Sequence, residues 1–300
     1  MKRSAALIML VVAFLVPPPC SGGETDAGRR VKIYADDAVF DREKGELFIP
    51  GEVTLTLDEL KIKGSALVYD RDSGAARFEN SPVLVEYEGK LRARLGAVSA
   101  DLGARVVSAA GGCELEYEDE EMKVLMNAAS VTVDVEKETA KASGRERVAV
   151  HYFSKLEPPA PEDDDFMPDV SEVHFSAGTV SYDFGAGRIA AAGAPVVEIE
   201  NGRFAAPAFE VFLEDEIFKA AGIVMEMDDV TARAAGAVVY YGEGRAVLDG
   251  GVTAERGDEK MKAEKMEIGY RRGKRYVRLI GKGEFDLLHK PPAAGNERED

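Results

Sequence analysis

From residue 31 onward, apolar and polar residues alternate in short runs that end at turns rich in Asp, Gly, Lys and Arg. The runs "EVTLTL" (52–57) and "PVLVEY" (82–87) each place an apolar or aromatic residue at every second position. This period of two is the pattern of half-buried β-strands, and no stretch after residue 30 has helical periodicity. The pattern predicts an all-β protein made of many short antiparallel strands.

The alternating runs recur as a repeat of about 30 residues. Residues 31–57 align with residues 60–87, so that Asp41 maps onto Asp70, 29 positions later. Six further copies cover 91–117, 123–152, 172–200, 203–227, 230–255 and 260–288. Self-similarity at a fixed period indicates a structure built from one supersecondary unit, present here in about eight copies.

Each unit has the same order of elements. One alternating strand ends at a charged turn such as "DREKGEL" (41–47), a second strand leads to a glycine, and a third strand closes the unit. The recurring glycines are Gly51, Gly111, Gly144, Gly193, Gly222, Gly250 and Gly281. Because glycine inside an extended run favours a bend or a β-bulge, we expect a bulge in each of these units.

One acidic, proline-rich segment divides the repeats into two sets. Residues 155–171 contain four prolines around the run "DDD" (163–165). Proline cannot join a central ladder, and a run of like charge repels itself. We therefore expect a linker or surface loop between a first set at 31–154 and a second set at 172–289. A similar composition predicts a disordered tail at 290–300.

The first 22 residues have the organisation of an export signal. A short basic start precedes the apolar run "AALIMLVVAFLV" (5–16), which is too short for a comfortable membrane span, and small residues follow it. This organisation predicts export from the cytoplasm. Two fates stay open: cleavage near Gly22 releases a soluble protein, whereas lipidation of Cys20 anchors a bacterial lipoprotein. The prolines at 17–19, before the cysteine, favour cleavage.

Composition narrows the classes of partner. The formal net charge is -17, which argues against nucleic acid, since phosphate binding needs clustered Lys and Arg. It also argues against simple electrostatic adsorption to an anionic membrane. The two cysteines, Cys20 and Cys113, cannot build a zinc finger or a disulfide framework.

Candidate catalytic chemistry is sparse. The serine-elbow, P-loop, H-E-x-x-H and C-x-x-C motifs are all missing from the sequence. His151 and His174 lie in strands on either side of the linker, where they can approach each other, but a strand histidine is more often structural than a ligand. The acidic stretch "YADDAVFD" (34–41) fits the edge of a repeat better than a metal site. We predict no enzyme, no catalytic residue, no metal and no cofactor.

Three stretches carry a resemblance to a known family: "KIYADDAVFD" (32–41), "GEVTLTL" (51–57) and "KIKGSALVYD" (61–70). They resemble the OstA-like repeat of the LptA–LptC family of periplasmic lipopolysaccharide-transport proteins. In that repeat an A-D-x-A-x-Y-D-like strand precedes a G-N/E-V-x-V/L strand. The matching residues are Ala35, Asp36, Ala38, Phe40, Asp41, Gly51, Glu52, Val53 and Leu55.

The resemblance implies an antiparallel β-jelly-roll, a folded sheet around an apolar groove. It implies a periplasmic protein that binds the acyl chains of lipopolysaccharide or a related glycolipid and bridges an inner-membrane exporter to an outer-membrane assembly complex. Other Lpt-type β-jelly-roll proteins would join it by edge-strand stacking. With a bulge between Asp36 and Asp37, the lipid-binding inner face comprises Ile33, Ala35, Ala38, Phe40, Val53, Leu55, Leu57, Ile62, Leu67 and Tyr69.

Several alternatives stay open at this point. The same apolar residues would equally fill a closed core. The bases Lys61, Lys63, Arg92 and Arg94 would either meet lipid phosphates at the mouth of a groove or lie on exposed strand positions. The rival functions are a non-catalytic envelope scaffold and a carbohydrate-active β-solenoid, and the sequence does not separate a soluble bridge role from a membrane-anchored one.

Overall fold

The described chain is a single antiparallel sheet. The structure, a computed structural model, describes residues 32–286 apart from 58–59, 102–103, 105, 135, 156–171, 184, 200–201, 228–229, 241–242, 244 and 272–273. These residues form a 19-stranded sheet, and every pairing within it is antiparallel. The prediction of an all-β, antiparallel folded sheet is confirmed. The export signal, Cys20, residues 156–171 of the linker, and the tail lie outside the described residues.

Long strands follow one another in chain order. The first set contains β1 (Lys32–Ala35), β2 (Val39–Asp41), β3 (Glu46–Leu57), β4 (Leu60–Asp70), β5 (Ala75–Tyr87), β6 (Leu91–Asp101), β7 (Val106–Glu118), β8 (Met122–Asp134) and β9 (Thr139–Ser154). The second set contains β10 (Glu172–Asp183), β11 (Arg188–Ala192), β12 (Val196–Ile199), β13 (Gly202–Ala205), β14 (Ala208–Phe212), β15 (Ile217–Met227), β16 (Val230–Tyr240), β17 (Arg245–Arg256), β18 (Glu259–Arg271) and β19 (Lys274–Asp286).

Each repeat contributes two long strands to a meander. Strands β1 and β2 both pair with β3 and are the halves of one interrupted strand. In the same way, β11 and β12 both pair with β10, and β13 and β14 both pair with β15. The seven recurring glycines each lie within a long strand or, for Gly193, at such an interruption. What the sequence presented as a second and a third strand is therefore one strand with an irregularity in its middle.

The irregularities lie in a line across the sheet. The pairing register shifts between Ile49 and Glu52 in β3, between Ala110 and Cys113 in β7, and between Asp249 and Val252 in β17. An extra residue bends a strand and increases its twist. Because neighbouring strands bend at the same level, the sheet folds along this line, which is how a single sheet without a covering layer buries one of its faces.

Two uninterrupted apolar rows cross the buried face, here called the inner face. Residues directly opposite each other in an antiparallel pair lie on the same side of a sheet, so the rows follow from the register. The first row is Ile33, Leu55, Ile62, Val85, Ala93, Leu115, Met126, Val150, Phe175, Val197, Phe204, Met225, Ala232, Ala254 and Met261. The second row is Ile49, Leu67, Phe78, Val98, Ala109, Val131, Ala142, Val180, Ala191, Phe209, Ala220, Ala237, Leu248, Met266 and Leu279.

The two repeat sets share this sheet. Strand β9 pairs with β10 from Phe153 opposite Glu172 to Thr139 opposite Asp183. One apolar cluster contains buried residues of both sets, from Ile49 to Met266. Where the two sets meet, the described residues therefore continue the same ladder and the same core.

The recurring aspartates close the turns. The Oδ1 atom of Asp41 accepts hydrogen bonds from the backbone N–H of Glu43 at 3.0 Å and of Lys44 at 3.2 Å. The same bond recurs at Asp70, Asp101, Asp134 and Asp183 with an N–H two or three residues further on. Such bonds hold the chain in a turn. Within the described ranges, no three His, Cys, Asp or Glu side chains are grouped so as to hold a metal ion. The stretch "YADDAVFD" is therefore a strand, a break and the start of such a turn.

Candidate functional site

The predicted lipid-binding residues are brought together by the register of the first four strands. Ile33 lies opposite Leu55, which lies opposite Ile62. Further pairs on the same face are Ala35 with Val53, Leu67 with Ile49, and Tyr69 with Leu47, which also pairs with Phe40. Ala38 lies exposed in the break between β1 and β2, and the side chain of Leu57 is outside the described residues. One face thus holds the rest of the predicted set.

The solvent exposure of this face decreases from β1 and β2 to β3 and β4. Ile33 is 47% exposed and Phe40 is 48% exposed, because β1 and β2 form an end of the described sheet. Leu55 and Ile62 are partly buried, and Val53 and Leu67 are 1% and 3% exposed. The predicted residues therefore include both an open apolar edge and the start of a packed core.

The other end of the described sheet has a similar open edge. Val277 of β19 is 51% exposed and lies opposite Ile268, and Leu279 is partly buried opposite Met266. The inner face is thus apolar and accessible at both terminal strands.

Between the ends, both sets contain fully buried inner-face side chains, and more of the partly buried ones in the described core lie in the second set. Leu91, Val124 and Val148 have 0% exposure, so β6, β8 and β9 are packed tightly. In the second set, partly exposed apolar residues of the inner face are Val173, Val197, Phe204, Val211, Phe218 and Met227. Sequence reasoning missed these residues, although their repeats show the same alternation. The accessible apolar surface therefore extends beyond the residues predicted from the first two repeats.

The four candidate phosphate-binding bases lie on the opposite face. Lys61 and Arg92 are both in register with Glu86, and Lys63 and Arg94 are both in register with Leu84. Their neighbours Ile62 and Ala93 occupy the inner face, and successive side chains of a strand point to opposite faces. The register therefore places these four bases on the outer face, away from the inner-face rows.

The two strand histidines do meet, as their positions beside the linker suggested. His151 lies opposite His174, and the ring centroids are 4.4 Å apart. The Nε2 atom of His174 is 2.6 Å from a carboxylate oxygen of Glu172. Both histidines are on the outer face, since their neighbours Val150 and Phe175 are buried inside. The pair is separate from the apolar face.

Two titratable side chains of the core are neutral. Burial raises the pKa of Cys113, a free cysteine, so this residue acts as a small apolar side chain. Burial, reinforced by a hydrogen bond to Asp119, also raises the pKa of Tyr117. The Tyr117 hydroxyl donates this bond to Oδ2 of Asp119 at 2.8 Å. The described core contains no buried charged side chain.

Comparison with solved structures finds a similar chain. LptH, the LptA homologous periplasmic component of the lipopolysaccharide transport device from Pseudomonas aeruginosa, has 13% sequence identity over 64% of this chain and 82% of its own. The TM-score is 0.18, a value that carries no argument about shared fold or function. No protein-family model and no curated protein matches the chain. A search of the described residues also finds no helix with the length and hydropathy of a membrane span.

Proposed function

We propose that this chain binds the acyl chains of lipopolysaccharide or a related glycolipid on its inner face and carries the lipid across the periplasm. In this proposal it bridges an inner-membrane exporter to an outer-membrane assembly complex, with no chemical catalysis. The residues with lipid-contacting roles are the predicted set on β1 to β4, continued by the partly exposed apolar residues of the second set. Export through the N-terminal signal would deliver the chain to the periplasm.

The observation that carries this proposal is the pair of apolar rows that cross the inner face from β1 to β19. Residues of these rows are accessible at both terminal strands, at Ile33 and at Leu279, and along the second set, as at Phe204. Each buried methylene of an acyl chain contributes about 0.8 kcal/mol. A continuous apolar track could therefore hold such chains without any charged residue on the inner face.

The electrostatics of the inner face fit this mode of binding. Its rows contain no cation, and the four bases near it face outward. The chain as a whole carries a formal net charge of -17, which repels lipid phosphates. Recognition would thus depend on the acyl chains, with the headgroup left outside the fold.

A second candidate function is an envelope scaffold that carries no lipid. Its support is the tight packing of the first set, where Val83, Leu91 and Val124 have 0% exposure. A core filled by its own side chains has no room for a ligand. The third alternative, a carbohydrate-active β-solenoid, predicts parallel coils, and the antiparallel pairing throughout the described strands disagrees with it.

Photocrosslinking with face-matched positions tests lipid binding. A benzophenone amino acid replaces Phe40, which is 48% exposed on the inner face, or its neighbour Val39, which is 60% exposed on the outer face. A second pair uses Phe218, on the inner face, and Lys219, on the outer face. With purified lipopolysaccharide, we expect crosslinks at 40 and 218 and far fewer at 39 and 219.

The outcome separates the two functions. Equal crosslinking at positions 39 and 40 would indicate nonspecific adsorption and would contradict the proposal. No crosslinking at either inner-face position, in protein that retains its β-sheet circular dichroism spectrum, would favour the scaffold.

A further inference from the structure

The outer face of strands β1 to β6 has a concentration of cations that the proposed lipid path does not use. Its residues form two neighbouring rows of the sheet. The first row is Lys32, Thr56, Lys61, Glu86 and Arg92, and the second row is Tyr34, Thr54, Lys63, Leu84 and Arg94. We call the five bases, Tyr34 and Leu84 the basic patch. From strand spacing and rise, it measures roughly 20 Å by 7 Å.

Among the described residues, few cations of the basic patch are in ion pairs. Among the described contacts, its one ion pair joins Lys63 to Glu86 at 3.9 Å, the long end of the range. The carboxylate of Glu116, opposite Arg92, is instead held by Lys123. Glu114 lies opposite Arg94, and no ion pair joins them among the described contacts. The five bases therefore outnumber the described carboxylates in register with them, Glu86, Glu114 and Glu116.

The outer face of the second set provides a contrast. There the cations pair with carboxylates across strands: Arg188 with Glu210, Arg203 with Glu198 and Glu226, Arg233 with Glu255, and Lys260 with Glu255. In the basic patch, β3 contributes Thr54 and Thr56 between the bases of β1 and β4. Neutral threonines leave those bases available to an external anion.

Two large apolar side chains are exposed among these cations. Tyr34 is 57% exposed and follows Lys32 two residues later on the same face of β1, opposite Thr54. Leu84 is 42% exposed and lies between Lys63 and Arg94 in the register. Tyrosine rings settle at the headgroup level of a bilayer, and the long stems of Lys and Arg reach along apolar surface while their charges stay in water. An open, pleated surface of this composition matches a lipid interface better than a pocket for a single ion.

The position of the basic patch in the chain also points to a membrane. The described part of the sheet begins at Lys32, and the apolar run 5–16 and Cys20 precede it closely in the sequence. The 12 residues from Cys20 to Lys32 span at most about 40 Å when fully extended. An uncleaved apolar run or a lipid on Cys20 would keep the patch within reach of the bilayer. After cleavage near Gly22, docking would depend on the patch itself.

We propose that the basic patch docks on a bilayer surface that contains anionic phospholipid and turns the first strands of the sheet toward that membrane. Attraction between the patch and anionic headgroups acts over about one Debye length, which is about 8 Å at physiological ionic strength. The acidic remainder of the surface is repelled, so the protein binds in one orientation. The net charge of the whole chain, which argues against adsorption, does not describe this local surface.

Vesicle co-sedimentation tests the proposal. The protein used begins at residue 23, so that the apolar run is absent while every described residue is retained. We expect binding to vesicles of phosphatidylethanolamine and phosphatidylglycerol, no binding to phosphatidylcholine vesicles, and release at about 0.5 M salt. Absence of binding to the anionic vesicles, or equal binding to both kinds, would overturn the proposal.

Charge-matched variants locate the binding surface. The triple substitution Lys61→Gln, Arg92→Gln and Arg94→Gln should weaken the partition coefficient on the order of 100-fold. The control carries Arg188→Gln, Arg203→Gln and Arg233→Gln, which remove the same charge from the second set, and should stay within about threefold of the parent. Tyr34→Ser with Leu84→Ser should weaken binding without any change in charge. Thermal melting must first show that both triple variants are as stable as the parent protein, so that weaker binding is not caused by unfolding.

Three other outcomes would indicate a different mode of binding. Equal losses in the two triple variants would mean that total charge, and not the basic patch, controls binding. Displacement by inorganic phosphate at matched ionic strength would indicate a discrete phosphate site. Binding of polyglutamate, with none of the anionic vesicles, would indicate an acidic protein partner. Each of these three results contradicts docking on a bilayer.

Discussion

At the scale of single residues, Tyr117 and Asp119 link the core to one turn. The tyrosine is 3% exposed and donates its hydrogen to Oδ2 of Asp119, while Oδ1 accepts from the N–H groups of Glu121 and Met122. Burial of the Asp119 carboxyl opposes ionisation, but these hydrogen bonds outweigh it and lower the pKa. The charged carboxylate and the neutral phenol thus stabilise each other in the folded state.

This pair predicts the response of the protein to alkaline pH. Burial first, and the bond to Asp119 second, raise the pKa of Tyr117 above its ordinary value of about 10. A raised pKa in the folded state stabilises the fold at pH below the unfolded value, and this contribution is lost as the pH rises through the folded value. In a titration of tyrosinate absorbance, the native protein and Tyr117→Phe should give equal amplitudes over the pH range near 10, roughly where exposed tyrosines ionise. A larger amplitude for the native protein in that range would mean that Tyr117 ionises like an exposed tyrosine.

The face of a residue could be predicted from the sequence where the alternation is unbroken, and its exposure could not. Val53 and Ile33 were both placed on the inner face, and the register agrees. Yet Val53 is 1% exposed and Ile33 is 47% exposed. The difference depends on which strand ends the described sheet and on the fold line beyond it, and neither is a local property of the sequence.

At the scale of the strand, the bulge glycines do not all have the same structural role. A Cβ atom on Gly144 of β9 would overlap the backbone carbonyl of Arg147, whereas a Cβ on Gly51 of β3 would have no neighbour within 4 Å. Both were predicted from the same repeat position. The recurrence of glycine indicated where strands bend, but the crowding depends on how many residues each bulge contains.

Alanine substitution should separate these two roles. We expect Gly144→Ala to destabilise the protein by about 3 kcal/mol, because the backbone must move to admit a methyl group. The matched control Gly51→Ala should change stability by no more than about 0.5 kcal/mol. Melting curves followed by circular dichroism provide the measurement, with a decrease in Tm of about 6 °C or more expected for the first variant. Equal Tm values would show that the bulge in β9 accommodates a side chain.

At the scale of the whole molecule, the repeat count and the antiparallel topology could be predicted because each repeat pairs mainly with its chain neighbours. How far the sheet closes over its inner face could not be predicted, since it depends on how far the sheet folds along its line of bulges. The position of Lys61 and Arg92 relative to a groove could not be predicted for a related reason. The charge of a residue is visible in the sequence, but its distance from a groove is set by the fold.

The two terminal strands lead to a prediction about assembly. Within the described residues, β1 and β2 pair only with β3, and β19 pairs only with β18, so each leaves an unpaired edge beside exposed apolar residues of the inner face. Unpaired edges of this kind accept strands of other molecules. We expect head-to-tail association in which Phe40 of one copy approaches Val277 of the next, and with it a continuous apolar face.

Sedimentation velocity over a range of protein concentrations measures this association. Phe40→Asp and Val277→Asp should each weaken it at least about tenfold, because a carboxylate would be buried at the junction without a partner. Val39→Asp introduces the same charge at the same end but on the outer face, opposite Phe48, and should have a much smaller effect. If only one terminal substitution weakened the association, the contact would join like ends of two molecules. If Val39→Asp were as disruptive as Phe40→Asp, the contact would depend on the edge alone, and the inner faces of successive molecules would not be continuous.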